Sequence, residues 1–155
     1  MNEALSVIDP NAFLAHQDLR EKLIEAYPYV RGRAAIDPIL FQGRSIIFNC
    51  ATPNHLDRRD PPIRWTPLIV FGNFHSGGSL IIRRLGLRMS FKPCTCIWLR
   101  GRVLPHEIEA FHGGQRISIA HFCHDSVWTK MGLLPYTTAT CKDLTVLPME
   151  TGDDV

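Results

Sequence analysis

At 155 residues, 45% of them hydrophobic, the chain is sized for one domain with a core of its own. No apolar run approaches the roughly 20 residues of a membrane span, the Met1-Asn2-Glu3-Ala4 start is acidic with no apolar stretch behind it, and five cysteines form no secreted-scaffold spacing, so an intracellular setting, nuclear or cytoplasmic, is expected. The net charge of +2 conceals an asymmetry, because residues 58–102 hold nine Arg or Lys against the single acid Asp60; the segment reads as a solvated basic face or as a surface for an anionic partner such as DNA or another nucleic acid.

In chain order, the first predicted element is a helix over about residues 11–27. Phe13, Leu14, Leu23, Ile24 and Ala26 form its apolar stripe, Pro10 suits its first turn, and Asp9 suits its cap. After Pro28 the pattern changes. From residue 45 onward, short runs rich in Ile, Val, Phe and Trp alternate with Gly and Pro breaks, which predicts strands at Ser45–Asn49, Leu68–Phe71, Leu80–Ile82, Leu87–Phe91, Thr95–Arg100, Val103–His106 and Arg116–Phe122. This is the rhythm of a mainly β barrel or sandwich with an N-terminal helix as buttress. The whole chain, 1–155, is expected to form one domain with its core at about 40–130 and a frayed tail at the C-terminus.

Chemistry enters at Asn54-His55-Leu56-Asp57. In a strand, residues two apart share a face, so His55 and Asp57 can reach one metal ion. A third ligand must come from elsewhere, and His106, at the end of the Val103-Leu104 run, is placed for it. Two histidines and one carboxylate on one face of an octahedron is the arrangement of non-haem iron(II) oxygenases, and it leaves positions for a bidentate co-substrate and molecular oxygen. Ten residues past His106 lies Gln115-Arg116-Ile117-Ser118. Arg116 and Ser118 share a face by the same alternation; the guanidinium can clasp a carboxylate through two parallel hydrogen bonds and the hydroxyl can add another, as a dicarboxylic keto acid requires.

Over residues 40–130 the chain resembles the 2-oxoglutarate/iron(II) dioxygenases of double-stranded β-helix (jelly-roll, cupin-like) fold, and within them the fungal TET/JBP-like branch. The resemblance is carried by Asn54-His55-Leu56-Asp57, by the turn Gly72 to Leu80, by Leu99 to His106, and by Gly113 to Phe122. It implies a dioxygenase in which His55, Asp57 and His106 hold Fe(II), Arg116 anchors 2-oxoglutarate and Ser118 assists. It further implies hydroxylation of a methyl or C–H group, with the methyl of a 5-methylpyrimidine in nucleic acid as the branch's substrate; such a base must leave the stack to be reached. The alternatives are a protein or small-molecule hydroxylase with the same site, and an inactive β-helix binding module.

Arg58 and Arg59, directly after Asp57, are expected to contact substrate, and Asn54 and Asn49 to line its mouth. His112 competes with His106 as third ligand but lies only four residues before Arg116, too close to cross to a neighbouring strand. His121 is expected on the Arg116–Ser118 face as a packing or hydrogen-bonding residue. A zinc site from Cys94, Cys96, His121, Cys123 and His124 is disfavoured by its spacing, Cys123 reading instead as a small core residue. Trp98 and Trp128 are expected in the core.

Overall fold

The computed structural model describes residues 1–133; the predicted frayed tail lies outside the described residues. Where one N-terminal helix is predicted, three form: α1 (Asn2–Ile8), α2 (Pro10–Ala26) and α3 (Val30–Ile36). Asp9 separates the first two. Standing before a proline it is pushed to extended backbone, which stops α1, and its side chain accepts the Ala12 N–H at 2.9 Å, which starts α2 with Pro10 in the first turn. α3 carries no apolar stripe. It is held from outside, by the Arg20 guanidinium, which donates to the carbonyls of Ala34, Asp37 and Pro38.

Ten strands follow. One antiparallel sheet takes β1 (Gly43–Phe48), β10 (Arg116–Phe122), β3 (Thr66–Gly72) and β7 (Cys96–Leu99), in that spatial order. A second takes β2 (Thr52–His55), β8 (His106–Ile108), β5 (Leu80–Ile82) and β6 (Leu87–Met89). A short pair, β4 (Ser76–Gly77) with β9 (Phe111–His112), closes one end, and α4 (Asp125–Lys130) follows β10. The sequence-adjacent strands of a simple meander are largely interleaved between sheets, as in a double-stranded β-helix.

The core between the sheets joins Val70 and Leu99 of the first to Leu80 and Ile82 of the second, with Phe74 and Phe91. On the outer face of the first sheet, Leu5, Ala12 and Phe41 pack with Trp65 and Trp98, and beside them Leu19, Cys123 and Trp128 form a third cluster. Thus Trp98 and Trp128 are packing residues. So is Cys123, whose thiol burial pushes up to about 12. Among the described residues no helix is long and apolar enough to cross a membrane.

Two predicted strands shift. Val103 and Leu104 form a turn, their N–H groups both donating to the Arg100 carbonyl, so His106 begins a strand instead of ending one. The run at Leu87 stops at Met89, and Phe91 lies beyond it, yet buried. β2 escapes the sequence reading because Thr52-Pro53-Asn54 has no apolar alternation. It sits at the edge of its sheet, where proline is tolerated.

Candidate metal centre and its cavity

His55 closes β2 and His106 opens β8, and the two stand directly opposite each other in that antiparallel pair, ring centroids 4.3 Å apart. Asp57 is not on the strand, so same-face alternation is not what unites it with His55. It lies in the loop just past β2, held by its N–H donating to the Gly101 carbonyl at 3.0 Å. The Asp57 carboxylate then faces both rings: Oδ1 is 3.5 Å from His55 Nε2 and Oδ2 is 4.0 Å from His106 Nε2. All three candidate ligand atoms lie within 4.8 Å of one another, and this is the one such cluster among the described residues.

The donor set suits a divalent first-row metal. His55 Nδ1 lies 2.9 Å from the Pro53 carbonyl and His106 Nδ1 lies 3.0 Å from that of Leu104. A carbonyl only accepts, so each Nδ1 donates to it, which leaves Nε2, the nitrogen facing Asp57, as the atom through which each ring could reach a metal. Burial holds the His106 pKa below its ordinary value, partly offset by the Leu104 carbonyl and Asp57, which favours the neutral imidazole.

These residues open onto a cavity of about 420 Å³ between the sheets, within the usual range for ligand pockets. Arg116 lines it too, fully buried. Its Nη1 donates to Ser118 Oγ at 3.2 Å, while Nε and Nη2 have no partner, and no carboxylate comes within ion-pairing distance among the described residues. The guanidinium is ringed by Phe74, Phe91 and Phe111 at 5.5–6.0 Å, and this burial lowers its pKa. A buried cation without a counter-charge costs several kcal/mol, on the order of what a bound anion can recover. The residues present therefore suit an anion on Arg116, in the same cavity as the His–Asp–His cluster.

Toward the opening the lining includes Arg58, Arg59, Asp60, Phe122 and His124. Arg58 and Arg59 are exposed. Asp60, Phe122 and His124 were not singled out from the sequence as cavity residues. The His124 ring stacks on Phe122 at 4.6 Å, and its Nδ1 lies 3.2 Å from Asp60 Oδ1. Thr66 donates to the other Asp60 oxygen at 3.1 Å, and the Asp60 N–H donates to the Asp57 carbonyl. Burial and then the Asp57 charge raise the Asp60 pKa, against the pull of its His124 and Thr66 hydrogen bonds. Phe122 shares parity with Arg116 and Ser118 and was readable on that ground; Asp60 sits in an aperiodic Pro-rich loop that gave no signal.

Asn54 does not line the cavity, and neither does Asn49, which is engaged with the backbone of Arg116. His112 is exposed, opposite Ser76 in the small β4–β9 pair and away from the cavity. His121 is buried on the other face of β10, near Phe41 at 6.4 Å; three residues from Ser118 it has the opposite parity, so its expected place on the Arg116 face is corrected. The disfavoured zinc set does not converge either: Cys94 and Cys96 are exposed while Cys123 is buried.

Neither a protein-family model nor a curated protein matches the chain. Among solved structures it is similar to NgTET1 in complex with 5mC DNA, with a TM-score of 0.55 and 19% identity, covering 73% of this chain and 44% of that one. The chain thus spans less than half the length of that structure. It has a weaker likeness to the viral collagen prolyl hydroxylase vCPH from Paramecium bursaria Chlorella virus-1 in its 2OG complex, with a TM-score of 0.39 and 11% identity, covering 63% of this chain and 67% of that one. The first likeness shows the fold: the chain is a double-stranded β-helix of the kind expected from its sequence.

Proposed function

We propose that this chain is an Fe(II)- and 2-oxoglutarate-dependent dioxygenase domain that hydroxylates a C–H group, and that its substrate is a methylated pyrimidine base of nucleic acid. The observation that carries the first part is one cavity holding both a His55–Asp57–His106 cluster and a buried arginine without a counter-ion. His55 and His106 would bind the metal through Nε2 and Asp57 through its carboxylate. Arg116 would bind the distal carboxylate of 2-oxoglutarate through Nη2 and Nε, with Ser118 fixing Nη1. Bound iron, with 2-oxoglutarate and oxygen, supplies the oxidising power; the co-substrate leaves as succinate and carbon dioxide. The chain's own work is to orient these groups and to keep water from them. Leu68, Phe91 and Ile108 supply the apolar walls for the latter.

The substrate reading rests on the opening. Phe122 and His124 give a planar ring a face to lie on, and Arg58 and Arg59 give a phosphate backbone its counter-charge. The 5mC DNA bound by NgTET1, a structure of the same fold, supports that choice.

The test is succinate release by purified protein with Fe(II), ascorbate, 2-oxoglutarate and 5-methylcytosine DNA, against a control without DNA. Release that depends on methylated DNA, with hydroxymethylated product, is expected. Equal release without DNA would remove the substrate reading, and the absence of both iron binding and succinate would remove the enzyme reading. His106→Ala should abolish iron binding, whereas Arg116→Ala should spare it and raise the 2-oxoglutarate requirement.

A further inference from the structure

Arg116 stands at the first position of β10, where a strand end has least restraint, yet its backbone is gripped from one edge, and that of Gln115 just before it from the other, by the same device. Along β1 the ladder runs from Gly43 opposite Phe122 to Phe48 opposite Ile117, so the next opposed pair is Asn49 and Arg116. A hydrogen-bonded antiparallel pair exchanges two main-chain bonds. The Asn49 N–H does donate to the Arg116 carbonyl, at 2.8 Å. But Asn49 has turned left-handed, φ 49°, and the Arg116 N–H goes instead to the Asn49 side-chain Oδ1, at 2.8 Å. Asparagine is among the few residues that adopt this backbone readily.

The opposite edge repeats the pattern one residue over. β3 ends at Gly72, facing Arg116. Asn73 then donates its N–H to the Gln115 carbonyl at 3.0 Å and accepts the Gln115 N–H on its own Oδ1 at 2.8 Å. The Asn49 amide closes the circle by donating to the Gln115 side-chain carbonyl. In both strands an asparagine amide stands in for its own main-chain carbonyl. β1 and β3 can then leave the sheet at this level without releasing β10. β1 has to leave, because it turns here into β2, which carries His55 in the other sheet.

We infer that Asn49 and Asn73 are positioning residues that set the affinity for 2-oxoglutarate by fixing the backbone from which Arg116 reaches into the cavity. The inference rests on the proposed reading of Arg116 as the co-substrate's anchor. Neither asparagine lines the cavity, so each acts through Arg116 and not by contact. Both are exposed and lie outside the core, so their replacement is compatible with folding.

The experiment is calorimetric titration of 2-oxoglutarate into the Mn(II)-loaded full chain, with Mn(II) affinity measured separately. Asn49→Gly keeps the left-handed backbone and its N–H bond while deleting the acceptor; Asn49→Asp restores the acceptor. Loss of one such hydrogen bond is expected to weaken 2-oxoglutarate binding about tenfold in Asn49→Gly and in Asn73→Ala. Asn49→Asp should stay within about threefold of the parent, and Mn(II) affinity should hold in all three. Unchanged 2-oxoglutarate affinity in both Asn49→Gly and Asn73→Ala, while Arg116→Ala loses it, overturns the inference and leaves the anchor intact. Parallel loss of Mn(II) affinity overturns it as well, since the asparagines would then be supporting the fold at large. Unchanged affinity in Arg116→Ala overturns the anchor reading, and the inference with it.

Discussion

Gly101 offers a test of the proposed metal site that replaces none of its candidate ligands. It is buried in the turn before β8, and its carbonyl holds the Asp57 N–H. A Cβ built on it falls 1.9 Å from Asp57 Oδ2, 2.8 Å from Asp57 Cγ and 3.2 Å from His106 Cε1. Its backbone is not in the left-handed region, so Gly101→Ala carries no conformational penalty and its effect is steric alone. Relief of the clash requires the carboxylate to retreat by more than about 1 Å, given ordinary non-bonded contact near 3.5 Å. Metal–ligand distances tolerate only about 0.2 Å. Asp57 should therefore drop out of the ligand set, and Co(II) or Fe(II) affinity should fall about a hundredfold, roughly 2.7 kcal/mol. Titration of Co(II) followed by its visible absorption reads this directly, with His106→Ala as the null and a thermal melt as the control for folding. Unaltered Co(II) affinity in a folded Gly101→Ala protein would refute the steric account, and with it the claim that Asp57 is a ligand.

His16 is 1% exposed between Phe41 and Trp128, and its pKa is lowered to about 3, first by burial and then by Arg64, against the pull of the Leu40 carbonyl and Asp9. The unfolded chain binds this proton from about pH 6.5 downward and the folded one only near pH 3, so stability is lost as pH falls through that window. Roughly 2 kcal/mol should be gone by pH 5 relative to pH 7.5, and urea unfolding of His16→Phe should show a shallower slope. Leu80→Ala, at a fully buried site between the sheets, should cost about 2–5 kcal/mol in the same assay; a change under about 1 kcal/mol would contradict the packing described. Replacing Arg58 and Arg59 together with alanine should weaken binding of methylated DNA and lower the slope of log affinity against log salt by about two, while 2-oxoglutarate binding stays as it was.

The β character, several strand positions and the convergence of His55, Asp57 and His106 were legible because they rest on apolar alternation and on unusual residue types. Arg116–Phe122 is the clearest case: its predicted and observed bounds coincide, since alternation, a Gly-Gly turn before it and β-branched residues within it agree. The reasons given from sequence were less secure than the outcome. His55 and Asp57 were grouped by strand parity, but Asp57 is brought round by a loop tied to Gly101, and His106 meets His55 as a cross-strand neighbour. What stayed hidden had no local periodicity to announce it. α3 depends on Arg20, β2 on its edge position beside β8, and the Asp60–His124 pair on a contact between residues 64 apart in sequence. Asn49 shows why such features resist reading. Near a cleft an exposed asparagine suggests a substrate contact, and only the hydrogen-bond partners reveal that its amide is replacing a main-chain carbonyl. Chemistry-bearing residues can be found from their types, whereas the residues that aim them are defined by long-range partners and become visible only once the strands are paired.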